Sequence, residues 1–276
     1  MLLWTNHITE QHYSILDKIK ETGFDGIEAP MGKGNTSYYR DLGNHLSSMG
    51  LEVTVVTSLN PQQNIASAER SIRQAGLERL KWAIDMSHHI GAQIICGPLH
   101  SAFACFSRQP PTTDELKWSA DMLRAAGEYA ATAQITLAVE ALNRFECYLC
   151  NTMEGLQTLV QQVNHPHVRA MYDTYHTHQE EKNQRTAIHI IKDHLHHVHI
   201  SENDRGTPGK GQVHWSDVFD GLKETGYSGW LTIEAFSTVV PEFASSINVW
   251  RNYSPAEEVY EQGYRFIKDQ WEKIHT

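Results

Sequence analysis

The chain has 276 residues, of which 40% are hydrophobic and 20% are charged, as in a globular protein that is large enough to bury a substantial core. Its formal net charge of −10 argues against nucleic acid or an anionic membrane as the main partner. No stretch approaches the ~20 apolar residues that a membrane span needs, and residues 1–7 lack the basic and apolar regions of a signal peptide. We therefore expect a cytoplasmic protein that acts on a small molecule.

The cysteine content points to the same compartment. The four cysteines are Cys96, Cys105, Cys147 and Cys150, which is too sparse for a disulfide framework in a chain of this length. Cys147 and Cys150 have the CxxC spacing of redox and zinc motifs, but no second pair accompanies them. We expect all four to be reduced thiols.

Short apolar runs alternate with amphipathic stretches from one end of the chain to the other, which indicates a parallel α/β fold. Eight runs are predicted to be strands, in chain order residues 2–5, 26–29, 52–57, 93–97, 136–141, 170–173, 197–201 and 231–235. Helices are predicted to fill the intervals, and no linker or low-complexity tract interrupts the pattern. Residues 1–276 are therefore predicted to form a single (β/α)8 TIM-barrel domain.

Capping residues predict where several helices begin and end. Three starts are expected from pairs with capping-box spacing, Thr112/Glu115, Asn151/Glu154 and Ser254/Glu257. Four glycines are expected to cap helix carboxyl ends, namely Gly23, Gly50, Gly91 and Gly226. Two segments, 203–214 and 236–253, are longer than a connection requires, and such loops at a catalytic rim commonly close over substrate.

Four side chains with metal-ligand chemistry follow consecutive predicted strands, one after another. They are Glu140, Asp173, His199 and Glu234, and they lie roughly 30 residues apart, which is the length of one strand–helix unit of a barrel. Because the carboxyl ends of barrel strands form one rim, we expect these four groups to converge there. Three carboxylates favour a hard divalent cation such as Mn2+ or Mg2+, and the imidazole shifts the preference toward Mn2+, Co2+ or Fe2+.

A different explanation exists for each acid taken alone, because a buried ion pair or a helix cap would also place a carboxylate at a strand end. That explanation is as good as metal binding for one carboxylate. It becomes poor for four groups at four consecutive strand ends, so we favour a shared metal ion.

Three more polar side chains are predicted to reach over the same rim: Glu146, His176 and Arg205. Each has an ordinary structural alternative. Glu146 could pair with Arg144 or another basic group, His176 could be a solvated loop residue, and Arg205 could pair with Glu202 or Asp204.

Other motifs carry less information. Residues 206–211 are rich in glycine but lack the order of a phosphate loop, so a turn-rich loop is favoured. Strand alternation sends His197 to the same face as His199, and we expect His197 to lie in the barrel interior without binding metal. The sequence contains no GxGxxG, no HExxH and no convincing Ser/His/Asp triad.

The polar segments resemble the D-tagatose 3-epimerase/D-psicose 3-epimerase family of xylose-isomerase-like TIM barrels. The resemblance is carried by residues 139–146, 171–176, 197–205 with 208–211, and 232–236, and Gly23–Glu28 is similar to the second strand of that superfamily. Residues 6–12 depart from the family, which usually has a segment containing Trp and Glu there. The contacts to the distal hydroxyl groups, and with them the identity of the sugar, are left without a prediction.

The resemblance implies a role for each residue. Glu140, Asp173, His199 and Glu234 would bind Mn2+ or Co2+, and Glu140 and Glu234 would also be the acid/base pair. Glu146, His176 and Arg205 would hold the O1 and O2 end of a ketose. Members of the family are commonly homodimers or homotetramers.

The expected activity is therefore metal-dependent epimerisation of a ketose at C3 through a cis-enediolate. An aldose–ketose isomerase or a 3-keto-glycoside lyase would use the same metal and acids, and product analysis would distinguish them. A non-catalytic sugar-binding barrel or an endonuclease for abasic DNA remains open on fold grounds. The negative charge argues against the nuclease, and retention of both glutamates argues against a barrel without activity.

Overall fold

The computed structural model describes residues 1–273, in which parallel strands curl into a nearly closed barrel surrounded by helices. The strands in this range are β1 (Gly26–Pro30), β2 (Glu52–Val56), β3 (Ile94–Gly97), β4 (Thr136–Val139), β5 (Val168–Asp173), β6 (Leu195–Ile200) and β7 (Leu231–Ile233). Each strand pairs in parallel with the next one along the chain. The predicted α/β TIM-barrel fold is confirmed.

Helices connect successive strands and form the outer layer. Within residues 1–273 they are α1 (Tyr13–Thr22), α2 (Thr36–Ser48), α3 (Arg70–Ile90), α4 (Thr113–Thr132), α5 (Met153–Val163), α6 (Thr174–Glu180), α7 (Gln184–Ile191), α8 (Trp215–Glu224), α9 (Pro241–Ser246) and α10 (Ala256–Glu272). In this described part of the chain, no helix combines the length and the apolar character that crossing a bilayer requires.

The first predicted strand, residues 2–5, is wrong, whereas the other seven are confirmed with small shifts of their ends. The segment coils into turns, because the backbone N–H groups of Trp4 and Thr5 both donate to the Met1 carbonyl, at 3.0 and 3.2 Å. The Met1 ammonium group before it donates to the Glu28 carbonyl of β1 at 2.8 Å. A cavity of about 520 Å³ lies beside this segment, between β1, β7 and α10.

The helix starts agree with the capping predictions in one case of three. Thr112 and Glu115 form the expected capping box at α4. The cap of α5 is Thr152 and not Asn151, so this prediction misses by one residue. The prediction for α10 is wrong, because no side chain caps that helix and the Ser254 hydroxyl accepts a backbone N–H from the loop before α8 instead.

The predicted glycine caps and long loops are confirmed. The four glycines lie just past helix ends with φ of 110°, 67°, 87° and 68°, in the order Gly23, Gly50, Gly91 and Gly226. Residues 203–214 form consecutive turns and bends, and residues 236–253 contain the short helix α9.

Strand alternation separates an outer apolar layer from a barrel interior that holds both apolar and charged side chains. Val55, Ile95 and Leu137 pack with helix residues in the main core. The neighbouring side chains point into the barrel, where Glu28 and His197 are buried and contact each other. The barrel is thus built on an apolar layer outside the strands, and its interior is free to hold charged groups.

The carboxyl end of β3 supports the rim at two positions. Gly97 has a φ of 122°, and its carbonyl accepts the Glu140 N–H at 2.9 Å. A Cβ at Gly97 would lie 2.3 Å from the Thr57 carbonyl oxygen. Three residues further on, His100 is fully buried, and its burial lowers the pKa of the imidazole from 6.5 to about 4.

We predict that Gly97→Ala destabilises the fold by about 2–4 kcal/mol, since it combines backbone strain with a steric clash. Gly32→Ala is the matched control, because a Cβ there meets no atom within 4 Å. The midpoint of denaturant unfolding measures both effects. Equal midpoints for the two variants would contradict the role assigned to Gly97.

We predict that His100→Gln flattens the acid side of the stability profile. The folded-state pKa of His100 lies below the unfolded value, so its contribution is complete above pH 6.5 and is lost as the pH falls toward 4. The parent should lose about 3 kcal/mol more than the variant between pH 7 and pH 4. The exposed His88 provides a control for removing one histidine, and parallel profiles for parent and His100→Gln would refute the prediction.

Candidate active site

The structure brings together the four side chains that the sequence predicts as ligands. Asp173 is the last residue of β5 and His199 lies in β6, while Glu140 and Glu234 directly follow β4 and β7. The parallel register pairs Asp173 with His199. One ligand atom from each of the four residues lies within 4.8 Å of those of the others. We name these four residues the carboxylate–histidine cluster.

The Nδ1 atom of His199 lies at the centre of this cluster. It is 3.5 Å from Asp173 Oδ2 and 3.4 Å from Glu234 Oε1. Asp173 uses its two oxygens differently, since Oδ1 accepts the Tyr175 N–H at 2.6 Å as the cap of α6. Helix capping and a place in the cluster, which we considered as alternatives for such a carboxylate, therefore occur together in Asp173.

Arg205 is the cation that compensates this negative charge within the described residues of the site. Its Nη1 donates to Glu234 Oε2 at 2.6 Å and to Asp173 Oδ2 at 3.3 Å. The guanidinium group stacks 3.6 Å from the Tyr175 ring and 4.7 Å from the Phe236 ring. These contacts hold the guanidinium plane above the cluster. The Arg205 backbone itself lies in the left-handed region, with a φ of 63°.

His176 connects Glu140 to the loop that follows β4. Its Nδ1 accepts the Asn143 backbone N–H at 3.0 Å. Its Nε2 lies 3.1 Å from the Arg205 Nη2 donor and 3.5 Å from Glu140 Oε1. Burial lowers the pKa of His176 from 6.5 to about 3, so this ring is neutral at pH 7.

The carboxyl groups of the cluster differ in their affinity for protons. Burial, reinforced by Glu234 and Asp173, raises the pKa of Glu140 well above its ordinary value. Burial is the largest single influence on Asp173 and opposes its ionisation, but Arg205, His176 and His199 together outweigh it and lower that pKa. Glu140 is thus suited to hold a proton while Asp173 stays ionised, a separation that is typical of acid/base sites.

The cluster fits a divalent cation. Glu140 Oε1 and His199 Nδ1 are buried and have no hydrogen-bond partner, although buried polar atoms are nearly always paired. Both atoms point at the cluster, where a cation would satisfy them. The donor set of three carboxylates and one imidazole suits a borderline divalent cation and differs from a structural zinc site, which usually has cysteine or histidine donors.

The three predicted substrate-binding residues lie around the cluster, and the structure differs from the simpler explanations given for them. Arg144 pairs with Glu180 and not with Glu146. His176 is buried in α6 instead of being solvated in a loop. Glu146 is half-buried, and its Oε1 accepts from Asn143 Nδ2 at 3.0 Å.

Arg205 does not pair with Glu202, because the Glu202 carboxylate has another use that the sequence did not reveal. It is fully buried and accepts the backbone N–H groups of Gly209 and Val213 and the indole N–H of Trp215, at 2.9–3.0 Å. Glu202 therefore folds the loop that presents Arg205. The turn-rich interpretation of residues 206–211 agrees with this arrangement.

Sequence reasoning also missed Glu28, which lies in β1 and contacts the His199 imidazole from inside the barrel. Its Oε1 is 3.0 Å from His199 Nε2, and its Oε2 is 3.0 Å from His197 Nε2. A single acid between Ile27 and Ala29 was the available signal, because alternation places it inside the barrel. His197 lies in the interior, as predicted.

Known proteins share both the sequence and the architecture of this chain. A ketose 3-epimerase of Arthrobacter globiformis is 29% identical over all of this chain and 96% of its own length. A solved L-ribulose 3-epimerase superposes with a TM-score of 0.91 at 25% identity, over 99% of this chain and 93% of that one. The D-allulose 3-epimerase of Methylomonas sp. in complex with D-allulose gives a TM-score of 0.90 at 26% identity, over 98% and 94%.

The family profile described as "xylose isomerase-like TIM barrel" matches residues 16–270. The resemblance inferred from the motifs is thereby confirmed. The chain belongs to the xylose isomerase-like TIM-barrel family, and the relatives named above are carbohydrate epimerases of the isomerase class.

Proposed function

We propose that this protein is a metal-dependent ketose 3-epimerase that moves a proton at C3 through a cis-enediolate. The observation that carries the proposal is the convergence of Glu140 and Glu234 on one buried imidazole together with Asp173. The names of its relatives, ketose 3-epimerase and L-ribulose 3-epimerase, support the same reaction.

Glu140, Asp173, His199 and Glu234 would hold the divalent cation. When bound, the cation would supply positive charge against the negative charge that develops on the sugar oxygens. The imidazole among the ligands favours Mn2+ or Co2+ over Mg2+. The unpaired Glu140 Oε1 and His199 Nδ1 support this assignment.

The two glutamates would transfer the protons. One would remove the C3 proton to give the cis-enediolate, and the other would return a proton to the opposite face, because a single base usually returns the proton to its own side. Glu140 and Glu234 follow β4 and β7 and so approach the cluster from different sides of the rim. The raised pKa of Glu140 supports a group that can hold a proton near neutral pH.

Glu146, His176 and Arg205 would hold the O1 and O2 end of the ketose. Arg205 is placed for this role because its guanidinium plane is held between Tyr175 and Phe236. A donor aimed at the oxygen that gains charge typically contributes ~10²–10³-fold to the rate.

Aldose–ketose isomerisation or elimination could proceed at the same cluster, and the names of the relatives favour 3-epimerisation over both. The net charge of −10 argues against a nuclease. The predicted cytoplasmic location and the homodimer or homotetramer stay predictions.

We predict that Glu140→Gln and Glu234→Gln each reduce turnover by at least ~10²–10⁴-fold, the usual contribution of a positioned acid or base, while sugar binding is retained in part. Glu154→Gln on the exposed face of α5 is the matched control. In D2O the parent enzyme should place deuterium at C3 of the product. Label at C1 or C2 alone would indicate an aldose–ketose isomerase, and unlabelled epimer would exclude the enediolate route.

We predict that chelation inactivates the enzyme and that Mn2+ or Co2+ restores it. The carboxylates of Glu28 and Glu234 overcome burial and raise the pKa of the metal-free His199 well above its ordinary value. A proton therefore competes with the cation, and the affinity for Mn2+ should fall as the pH falls. Full turnover of thoroughly metal-stripped protein, checked by elemental analysis, would contradict the proposal.

A further inference from the structure

A second group of polar side chains lies directly beneath the carboxylate–histidine cluster, inside the barrel. It consists of Glu28, Cys96, His197 and His199, which come from β1, β3 and β6. All four are buried. His199 belongs to both groups, because its two ring nitrogens face in opposite directions.

The two sides of the His199 ring differ in their hydrogen bonding. Nε2 is 3.0 Å from Glu28 Oε1. Nδ1 has no hydrogen-bond partner and lies 3.4 Å from Glu234 Oε1. A neutral imidazole carries one proton, and an ionised carboxylate can only accept. With the proton on the Glu28 side, the lone pair of Nδ1 points into the carboxylate–histidine cluster.

We propose that Glu28 is the positioning residue of the metal site: its carboxylate accepts the Nε2–H of His199 and so fixes the tautomer and ring orientation in which Nδ1 binds the divalent cation. This inference rests on the proposed function, because it requires the cation. It adds a residue that lies outside the four ligands, on β1.

The surroundings of Glu28 are suited to such a role, because they hold its carboxylate in one place. Oε2 accepts from the Thr54 hydroxyl at 3.2 Å, from the Cys96 thiol at 3.0 Å and from His197 Nε2 at 3.0 Å. These partners lie on β2, β3 and β6, so the barrel itself sets the position of the carboxylate. Burial of a lone carboxylate is costly, and these donors offset that cost.

An alternative occupant of this lower group is a second metal ion, since cysteine, histidine and carboxylate donors can bind zinc. The contacts favour the positioning role, because Glu28 Oε2 is already used by three donors. Metal stoichiometry distinguishes the two possibilities. Two ions bound per chain, one of them lost on substitution of Glu28, would overturn the positioning role.

The first test is a calorimetric titration of the metal-free protein with Mn2+. Glu28→Gln keeps the size of the side chain but removes the charged acceptor, and it should weaken Mn2+ binding roughly 10–100-fold, as the loss of such a partner usually does. Glu154→Gln makes the same substitution on the exposed face of α5, away from the site, so its affinity should equal that of the parent. The melting temperature of each metal-free variant reports separately on folding.

The outcomes separate this inference from the proposed function. If the parent protein binds Mn2+ and Glu28→Gln binds it equally well, only the positioning role is overturned. Parent protein that takes up no divalent cation would overturn both.

A second measurement uses only the parent protein, so it does not depend on whether a variant folds. In parent protein labelled with nitrogen-15 histidine and loaded with Zn2+ as a diamagnetic probe, the NMR spectrum reports which ring nitrogen of His199 bears the proton. We expect the proton on Nε2 and the metal on Nδ1. The reverse assignment would overturn the proposal.

Discussion

The constraint on which the site depends is the burial of several carboxylates around one imidazole. Glu140, Asp173 and Glu234 converge on His199 at the rim, and Arg205 is the guanidinium that faces them. Charges buried this closely are tolerated only when opposite charge and hydrogen bonds compensate them. Part of the compensation comes from Arg205, part from the raised pKa of Glu140, and the unpaired atoms of the cluster indicate that a cation supplies the rest.

The β6 strand places polar groups at two levels inside the barrel. Its alternate residues Val198 and Ile200 pack in the apolar core outside the sheet, while His197 and His199 face the interior. His199 therefore has one nitrogen in the upper group of acids and the other beside Glu28 in the lower group. The alternation of side chains along β6 thus places its apolar residues in the core and both of its imidazoles at the site.

Much of this arrangement follows from pattern alone. Alternating apolar and amphipathic stretches predicted eight strands, of which seven form. The acids and the histidine at the ends of four of them predicted the convergence of four ligands, because parallel strands of one barrel share a rim. The failed strand, residues 2–5, is equally apolar, but its backbone bonds close on Met1 instead of on β1. Local composition does not distinguish a turn from a strand when the partner is distant in sequence.

The missed residues share one property, which is that their partners come from elsewhere in the chain or from the loop they fold. Glu28 bonds to β6, and Glu202 folds back on the loop before α8. The cap of α5 moved from Asn151 to Thr152 because the Asn151 amide donates to the Leu142 carbonyl instead. Such pairings are decided by tertiary packing, so propensity and spacing do not predict them.

The central claim is that one divalent cation completes the charge balance of the cluster. The most direct measurement is the crystal structure of the Mn2+-loaded protein, with data collected at the manganese absorption edge. The account predicts a single anomalous peak bonded to Glu140, Asp173, Glu234 and the Nδ1 atom of His199. A cluster without a peak at saturating Mn2+, or a peak bonded elsewhere, would contradict it.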